Sequence, residues 1–138
     1  MGVASSRLRE QIARAGFEAF DAGDTDRVVE LLSGDVEVFS SPELVNAGTF
    51  RGRDGYLEWI APWIDAWQSL DLEVKDVTVV GKRHVVTEIH QRAEGRGGIE
   101  VAMDVAFLFE VGDDGLIDYL ALLPSAENAL RLARGRET

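Results

Sequence analysis

The order of the helical and strand-like segments limits the folds that this chain can adopt. Two helical stretches fill most of the first half, and four strand-like runs follow Trp67 in succession. The runs are Leu70 to Val80, His84 to Glu94, Glu100 to Val111 and Leu116 to Leu123. Each short separator between them contains glycine, which is typical of tight reversals. Connections this short leave no room for parallel crossovers, so an antiparallel meander is predicted. Helices followed by a meander indicate one α+β domain over residues 1–138.

The first half is predicted to supply the helices that cover this sheet. Apolar residues at helical spacing predict one helix from Ser6 to Ala22, which Ser5 or Ser6 could cap. A second, shorter helix is expected to be capped by Asp24 or Thr25 and to end before Ser33. Val36 to Phe39 then has the composition of a short strand.

All three tryptophans of the chain recur at every fourth position, as Trp59, Trp63 and Trp67, so they are predicted to lie on one side of a helix. Asp54 is its expected cap, and Pro62 is expected to kink or divide it. An aromatic stripe of this kind is usually core. The alternative is that Trp59 or Trp63 lines an open pocket where a flat apolar ligand stacks.

Two further segments complete the predicted fold. Ser40 to Arg53 has weak periodicity and several helix breakers, which predicts a loop or loose hairpin at the rim. Ser125 is the expected cap of a last helix, and the tail from Arg134 to Thr138 is expected to fray.

Alternation along the strands predicts which side chains face the helices. Thr87 and Gln91 are the inward polar residues of the second run, whereas His90 faces outward. His84, beside a turn, is expected to be exposed. The outward sheet face mixes small and charged residues, so it is predicted to pack on a second copy, with a plain solvated face as the alternative. The inward set of the third run is Val101, Met103, Val105, Phe107, Phe109 and Val111.

Charge and composition exclude several classes of partner. Fourteen Lys and Arg stand against 25 Asp and Glu, and the net charge of −11 argues against nucleic-acid binding. The chain has no cysteine, and its two histidines, His84 and His90, form no recognisable zinc or iron site, so neither metal nor other cofactor is expected. No apolar run approaches the roughly 20 residues that span a bilayer. A cytoplasmic protein without membrane or nucleic-acid partners is expected.

Four motifs in this order resemble the SnoaL-like branch of the nuclear transport factor 2-like superfamily, and the likeness covers nearly the whole chain. The resemblance implies a cone: a strongly curved antiparallel sheet wrapped around the N-terminal helices, with an internal pocket. It also implies a homodimer formed through the convex sheet face. The superfamily includes ketosteroid isomerases, polyketide cyclases, limonene-epoxide hydrolases, scytalone dehydratases and members with no known reaction, so the fold alone does not give the function. The motifs are Phe17–Asp24, Leu32–Val38, Phe50–Tyr56 and Asp114–Ile117.

The resemblance also implies where catalytic side chains would lie, and these positions hold unsuitable residues. An isomerase-like base, tyrosine and oxyanion donor would fall at Ser40 to Pro42, Gly16 and Phe107. An epoxide-hydrolase-like charged set would fall at about Ile89, Gln91 and Leu122, and the acidic residue of SnoaL-type cyclases would fall near Leu122 to Ser125. A register slip of one residue would instead bring Glu88, His90 and Arg92 inside, with His90 as a general base.

Three functions remain open from the sequence. The preferred hypothesis is binding of a small hydrophobic molecule in an apolar pocket. The second is an isomerase, cyclase or hydratase acting on a polyketide- or steroid-like ring, with His90 and Gln91 as weak catalytic candidates. The third is a structural or partner-binding module whose cavity is filled by side chains. The predicted ligand-binding residues are Phe17, Tyr56, Trp59, Trp63, Gln91, Met103, Phe107, Phe109, Leu120 and Leu122.

Overall fold

A computed structural model describes residues 5–44 and 47–137. Helices and strands follow one another in the order expected of an α+β fold, and that class is confirmed. No helix in the described ranges has the length and apolar character to cross a membrane. The elements are α1 (Ser6–Asp21), α2 (Thr25–Glu30), β1 (Leu32–Ser40), β2 (Gly48–Arg51), α3 (Gly52–Ala66), β3 (Trp67–Val80), β4 (His84–Gly95), β5 (Glu100–Val111), β6 (Ile117–Leu123) and α4 (Ala126–Arg136).

The described strands form a curved sheet of six, in the order β2-β1-β6-β5-β4-β3. Strands β3 to β6 pair antiparallel with their neighbours in the chain, which confirms the predicted meander. Strand β1 pairs parallel with β6 and antiparallel with β2, so the segment expected to be a loop or loose hairpin contains a hairpin strand. The parallel contact joins the N-terminal half of the chain to the end of the meander.

The concave face of the sheet is covered by α1, α2 and α3. Ile12, Phe17 and Trp59 pack there with inward residues such as Ile89 and Val105 in one continuous core. These strand residues occupy alternate positions, as the pleat of a half-covered sheet requires. The predicted inward set is therefore correct from Val105 to Val111, and the register slip is not observed.

The convex face is partly covered by α4, which the sequence did not predict. Ala129 and Ala133 of this helix pack on Ala106, Leu108 and other outward residues of the sheet. Ala106 and Leu108 are completely buried within the chain itself. The prediction that the outward face packs on a second copy is therefore wrong for Ala106 and Leu108, which α4 of the same chain covers; its small alanines allow the helix to approach the sheet closely.

Helix α3 and strand β3 divide the tryptophan stripe between them. α3 ends at Ala66, and Trp67 begins β3, where it pairs with Gly95 of β4. Sheet pairing therefore takes the third tryptophan off the helix. The residue before α3 is Arg51, without a side-chain cap, so the prediction of Asp54 as the cap is wrong. Pro62 lies inside α3 without dividing it into two helices.

The other predicted caps are confirmed. The Oγ atoms of Ser5 and Ser125 accept hydrogen bonds from the first turns of α1 and α4, and Asp24 caps α2 in the same way. These groups satisfy backbone N–H donors that have no partner within the helix. Helix α4 continues to Arg136, so the expected fraying from Arg134 is wrong as far as the structure describes the tail; Thr138 lies outside the described residues.

Candidate ligand-binding cavity

A cavity of about 60 Å³ lies between the N-terminal helices and the concave face of the sheet. Its walls are overwhelmingly apolar because the inward alternation of the strands meets the apolar stripes of the helices. The helices contribute Gly16, Phe17, Phe20, Val28, Tyr56, Trp59, Ile60 and Trp63, and Leu31 follows α2. The sheet contributes Leu32, Leu70, Leu72, Gln91, Phe107, Phe109, Ile117, Leu120 and Leu122.

Aromatic rings form one wall of this cavity. The ring of Phe17 meets that of Phe107 edge-on, with centroids 5.0 Å apart, and lies 5.8 Å from that of Phe109. Tyr56 and Trp59 lie 5.9 Å apart on α3. Such contacts stabilise ring pairs beyond their buried area, so the cluster of Phe17, Phe107 and Phe109 is held in place between α1 and the sheet.

A second, outer cleft of about 260 Å³ adjoins the cavity. It lies between the α1–α2 turn and the junction of α3 with β3. Its rim is more polar, with Thr25, Gln68 and Ser69. The cleft and the inner cavity share six lining residues, so they form two compartments on either side of common side chains. The shared residues are Phe20, Val28, Tyr56, Ile60, Trp63 and Leu70.

Few polar groups face the inner cavity, and Gln91, Trp63 and Tyr56 are among them. Gln91 is 4% exposed, and within the described residues its carboxamide makes no hydrogen bond. The buried Nε1–H of Trp63 likewise finds no acceptor in the part of the chain that the structure describes. Burial raises the pKa of the Tyr56 hydroxyl above its usual range, so this group stays neutral and able to donate.

Nine of the ten predicted ligand-binding residues line the inner cavity, and Met103 does not. Met103 pairs with Gln91 across β4 and β5 but is 38% exposed. Strand β6 ends at Leu123, opposite Ala106, so in the described chain it does not extend along β5 as far as Met103. The prediction of an inward-packed Met103 is corrected for this reason, and the same holds for Val101.

Sequence reasoning missed several lining residues, although their signal was present. Phe20 and Val28 belong to the apolar stripes that predicted α1 and α2. Leu70 and Leu72 occupy alternate positions at the start of β3 and lie on the same side of the sheet as Gln91. Applying the alternation test to the first run of the meander would have found this pair.

His90 lies on the outer side of the sheet. Its Nδ1 atom is 2.7 Å from the Oδ1 atom of Asp104, a residue paired with it on β5. This is the outward placement that the alternation predicted, and it keeps His90 away from the cavity. Gln91, the other weak catalytic candidate, lines the cavity.

His84 contradicts the expectation of an exposed turn residue, since it is only 1% exposed. Its Nδ1 atom lies 2.5 Å from Glu137, and its Nε2 atom lies 2.9 Å from Glu110. The burial arises because the end of α4 returns to the β3–β4 turn, a long-range contact that local sequence does not reveal. His84 is therefore part of a polar contact outside the cavity.

The cavity offers little acid-base chemistry. None of the described residues that line it is Asp, Glu, His, Lys or Arg. Groups of three or more potential metal ligands are also absent from residues 5–44 and 47–137. Its chemical character is that of an apolar container with a few neutral hydrogen-bonding groups.

Comparison with protein families gives a match over most of the chain. A family model described as SnoaL-like domain matches residues 13–120. Among curated proteins, none matches the sequence.

Solved structures share the fold at low sequence identity. An NTF2-like protein of unknown function from Burkholderia pseudomallei superposes with a TM-score of 0.76 at 18% identity, covering 91% of this chain and 97% of that one. RV0760c from Mycobacterium tuberculosis, in complex with estradiol-17beta-hemisuccinate, gives a TM-score of 0.71 at 15% identity over 83% and 92%. The epoxide hydrolase/cyclase-like enzyme SalBIII, with a role in pyran ring formation in the polyether salinomycin, gives 0.75 at 16% over 88% and 93%. At these identities the likeness shows the fold alone.

Proposed function

Since this chain belongs to the SnoaL-like domain family, we propose that it binds a small hydrophobic molecule between its N-terminal helices and the concave face of its sheet. The observation that carries this proposal is the cavity lining, which is apolar except for a few neutral polar groups. A concave apolar site with few placed polar groups is the usual form of a small-molecule site. Two structural relatives, one in complex with estradiol-17beta-hemisuccinate and one with a role in pyran ring formation, support a hydrophobic ligand with rings.

The volumes of the two compartments favour a ligand that occupies both. A dry apolar cavity of about 150 Å³ holds one benzene molecule. The inner cavity, at about 60 Å³, is smaller than that. The outer cleft is several times larger, at about 260 Å³, and shares Tyr56, Ile60 and Trp63 with it. We propose that these three side chains adjust so that one end of the ligand enters the inner cavity and the rest lies in the cleft.

A neutral fluorescent probe, N-phenyl-1-naphthylamine, tests this function. We expect saturable binding with one probe per chain and an increase in probe fluorescence. Leu72→Trp fills the cavity and should abolish binding. Leu130→Trp is the matched control, since Leu130 is a partly buried leucine of α4 on the opposite face of the sheet. Absence of saturable binding would contradict the proposal and support a filled module instead. Equal binding by Leu72→Trp would also contradict it, because the probe would then bind outside this cavity.

We also propose that the chain forms a homodimer through the part of the convex face that α4 leaves uncovered. Arg92 lies there between Asp71 and Ala102 on adjacent strands, so two opposite charges and a small residue lie in one row across the sheet. Light scattering should give the mass of a dimer, and Ala102→Arg should give a monomer. Ala106 is unsuitable for this test because it is buried under α4.

The dimer experiment has a surface control on the other side of the molecule. Ala61→Arg, at an exposed position of α3, should leave the dimer unchanged. A monomeric wild type would contradict dimerisation, and a dimeric Ala102→Arg variant would contradict this face.

We propose the cytoplasm as the location. The chain has no cysteine, so it cannot form the disulfides that are typical of proteins in oxidising compartments.

A further inference from the structure

We propose that the ligand is uncharged and carries an oxygen that accepts hydrogen bonds, such as a ketone, ester or lactone carbonyl, held by Gln91 and Trp63. This inference rests on the proposed binding function and adds the chemical class of the ligand. Two observations support it: the described lining has no charged side chain, and some of its hydrogen-bond donors have no partner in the described chain.

The lining of the site disfavours a charged ligand. No Lys, Arg, Asp, Glu or His is found among the described lining residues. An ionised carboxylate buried there would lose its hydration without gaining a counter-charge, which is strongly unfavourable. The net charge of −11 on the chain adds a repulsive field for anions. A tyrosine hydroxyl is neutral at pH 7, and burial raises the pKa of Tyr56 further, so it supplies no charge either.

The hydrogen-bond donors of Trp63 and Gln91 favour a ligand with an acceptor atom. The indole of Trp63 can only donate a hydrogen bond, and its buried Nε1–H has no acceptor among the described residues. Gln91 brings two more N–H donors to the opposite wall, on β4, without an internal partner for them in the described chain. A buried donor left unpaired is unfavourable, so an acceptor atom on the ligand would stabilise the complex. A pure hydrocarbon would leave these groups unpaired.

The positions of Trp63 and Gln91 indicate where the ligand oxygen would bind. Trp63 lines both the inner cavity and the outer cleft, whereas Gln91 lines only the inner cavity. An oxygen bound by either group therefore lies in or next to the inner compartment. The remaining apolar part of the ligand would extend into the cleft, towards the polar rim at Thr25 and Gln68.

Three naphthalenes of nearly equal size test this inference by titration calorimetry at pH 7. They are 2-acetylnaphthalene, a neutral ketone; 2-isopropenylnaphthalene, its hydrocarbon counterpart; and 2-naphthoate, an anion. We expect the ketone to bind about tenfold more tightly than the hydrocarbon, the size of one or two neutral hydrogen bonds. We expect the carboxylate to bind at least about 30-fold more weakly than the ketone, because it is desolvated without a counter-charge.

Variants assign the effect to the two side chains. Gln91→Leu and Trp63→Phe should each reduce ketone affinity towards that of the hydrocarbon, while hydrocarbon affinity stays unchanged and reports that the site is intact. Gln11→Leu, at an exposed position of α1, is the matched control and should change neither affinity. Unchanged ketone affinity in both site variants would overturn the assignment to Gln91 and Trp63.

The outcomes separate this inference from the function on which it rests. Equal affinities for ketone and hydrocarbon, or tighter binding of the carboxylate, would overturn the inference and leave the binding function standing. Binding of N-phenyl-1-naphthylamine without binding of any of the three naphthalenes would also overturn it. Failure of that probe as well as the naphthalenes would overturn the binding function itself.

Discussion

At the scale of single residues, the closest polar contacts involving histidine and carboxylates lie outside the cavity. Glu137 accepts hydrogen bonds from the backbone N–H groups of Lys82 and Arg83 and contacts His84. Although partial burial acts to raise the pKa of Glu137, these hydrogen bonds and the charge of His84 outweigh it and lower the pKa to about 2. This carboxylate thus ties the end of α4 to the β3–β4 turn.

Replacing Glu137 should destabilise the fold in a pH-dependent way. Glu137→Ala removes the partner of the His84 Nδ1 atom and of two backbone N–H donors, and we expect the free energy of unfolding at pH 7 to fall by about 1–3 kcal/mol. The wild-type contribution is present above the ordinary glutamate pKa and is lost as the pH falls from about 4.5 towards 2, because the folded pKa is the lower one. The difference between the two proteins, measured by urea denaturation, should therefore shrink in acid.

An exposed carboxylate on the same helix provides the control. Glu127 is 82% exposed and pairs with Arg131 one turn away, so Glu127→Ala should change stability little. Equal effects of the two substitutions, or a Glu137→Ala effect independent of pH, would show that Glu137 does not hold α4 in this way.

At the scale of elements, α3 contains a proline that its helical geometry does not favour. Pro62 has no N–H to donate within the helix, and its ring crowds the carbonyl one turn earlier. The side chain is exposed, so removing it leaves no buried void. We expect Pro62→Ala to raise the free energy of unfolding by about 1–3 kcal/mol, measured by urea denaturation.

The neighbouring position of α3 gives the opposite substitution. Ala61 is also exposed, and Ala61→Pro should lower the free energy of unfolding by about 3 kcal/mol. If Pro62→Ala instead destabilised the protein, the helix would depend on the proline for its path over the sheet. That result would contradict the view of Pro62 as a local cost to α3.

The elements also show how far the sequence could predict this fold. The meander was predictable because glycine-containing turns and period-two alternation act locally, and the caps Ser5, Asp24 and Ser125 act within one helical turn. Trp67 was assigned wrongly because helical spacing continues through it, while pairing with Gly95 places it in a strand. Local patterns do not reveal which of two periods tertiary pairing will select.

The candidate site shows the same division between local and long-range information. Gln91 and the aromatic residues Trp59 and Phe107 could be placed on the concave side from alternation and helical spacing alone. Met103 has the same alternation, but its exposure depends on where β6 ends, at Leu123, on a different part of the chain. His84 was missed because α4 covers it from about 50 residues away.

For the whole molecule, carboxylates far outnumber basic side chains, so like-charge repulsion opposes the compact state. The net charge is −11, and several of the ion pairs in the described ranges, such as Lys75 with Glu73 and Arg131 with Glu127, are exposed. Exposed pairs contribute little to stability, so salt has little attraction to weaken. Repulsion among many carboxylates favours the expanded chain, and salt shortens its range from roughly 30 Å at 0.01 M to about 8 Å at 0.15 M.

Sodium chloride should therefore stabilise this protein rather than weaken it. Between 10 and 200 mM salt (about 30 to 7 Å of screening length), we expect the free energy of unfolding in urea to rise on the order of 1 kcal/mol at pH 7. A variant with Glu58→Gln and Glu100→Gln, both exposed and outside the ion pairs, should show a smaller rise because it carries less charge to screen. A fall in stability with salt would mean that attractive contacts, among them the one between Glu137 and His84, outweigh the repulsion of the whole acidic surface.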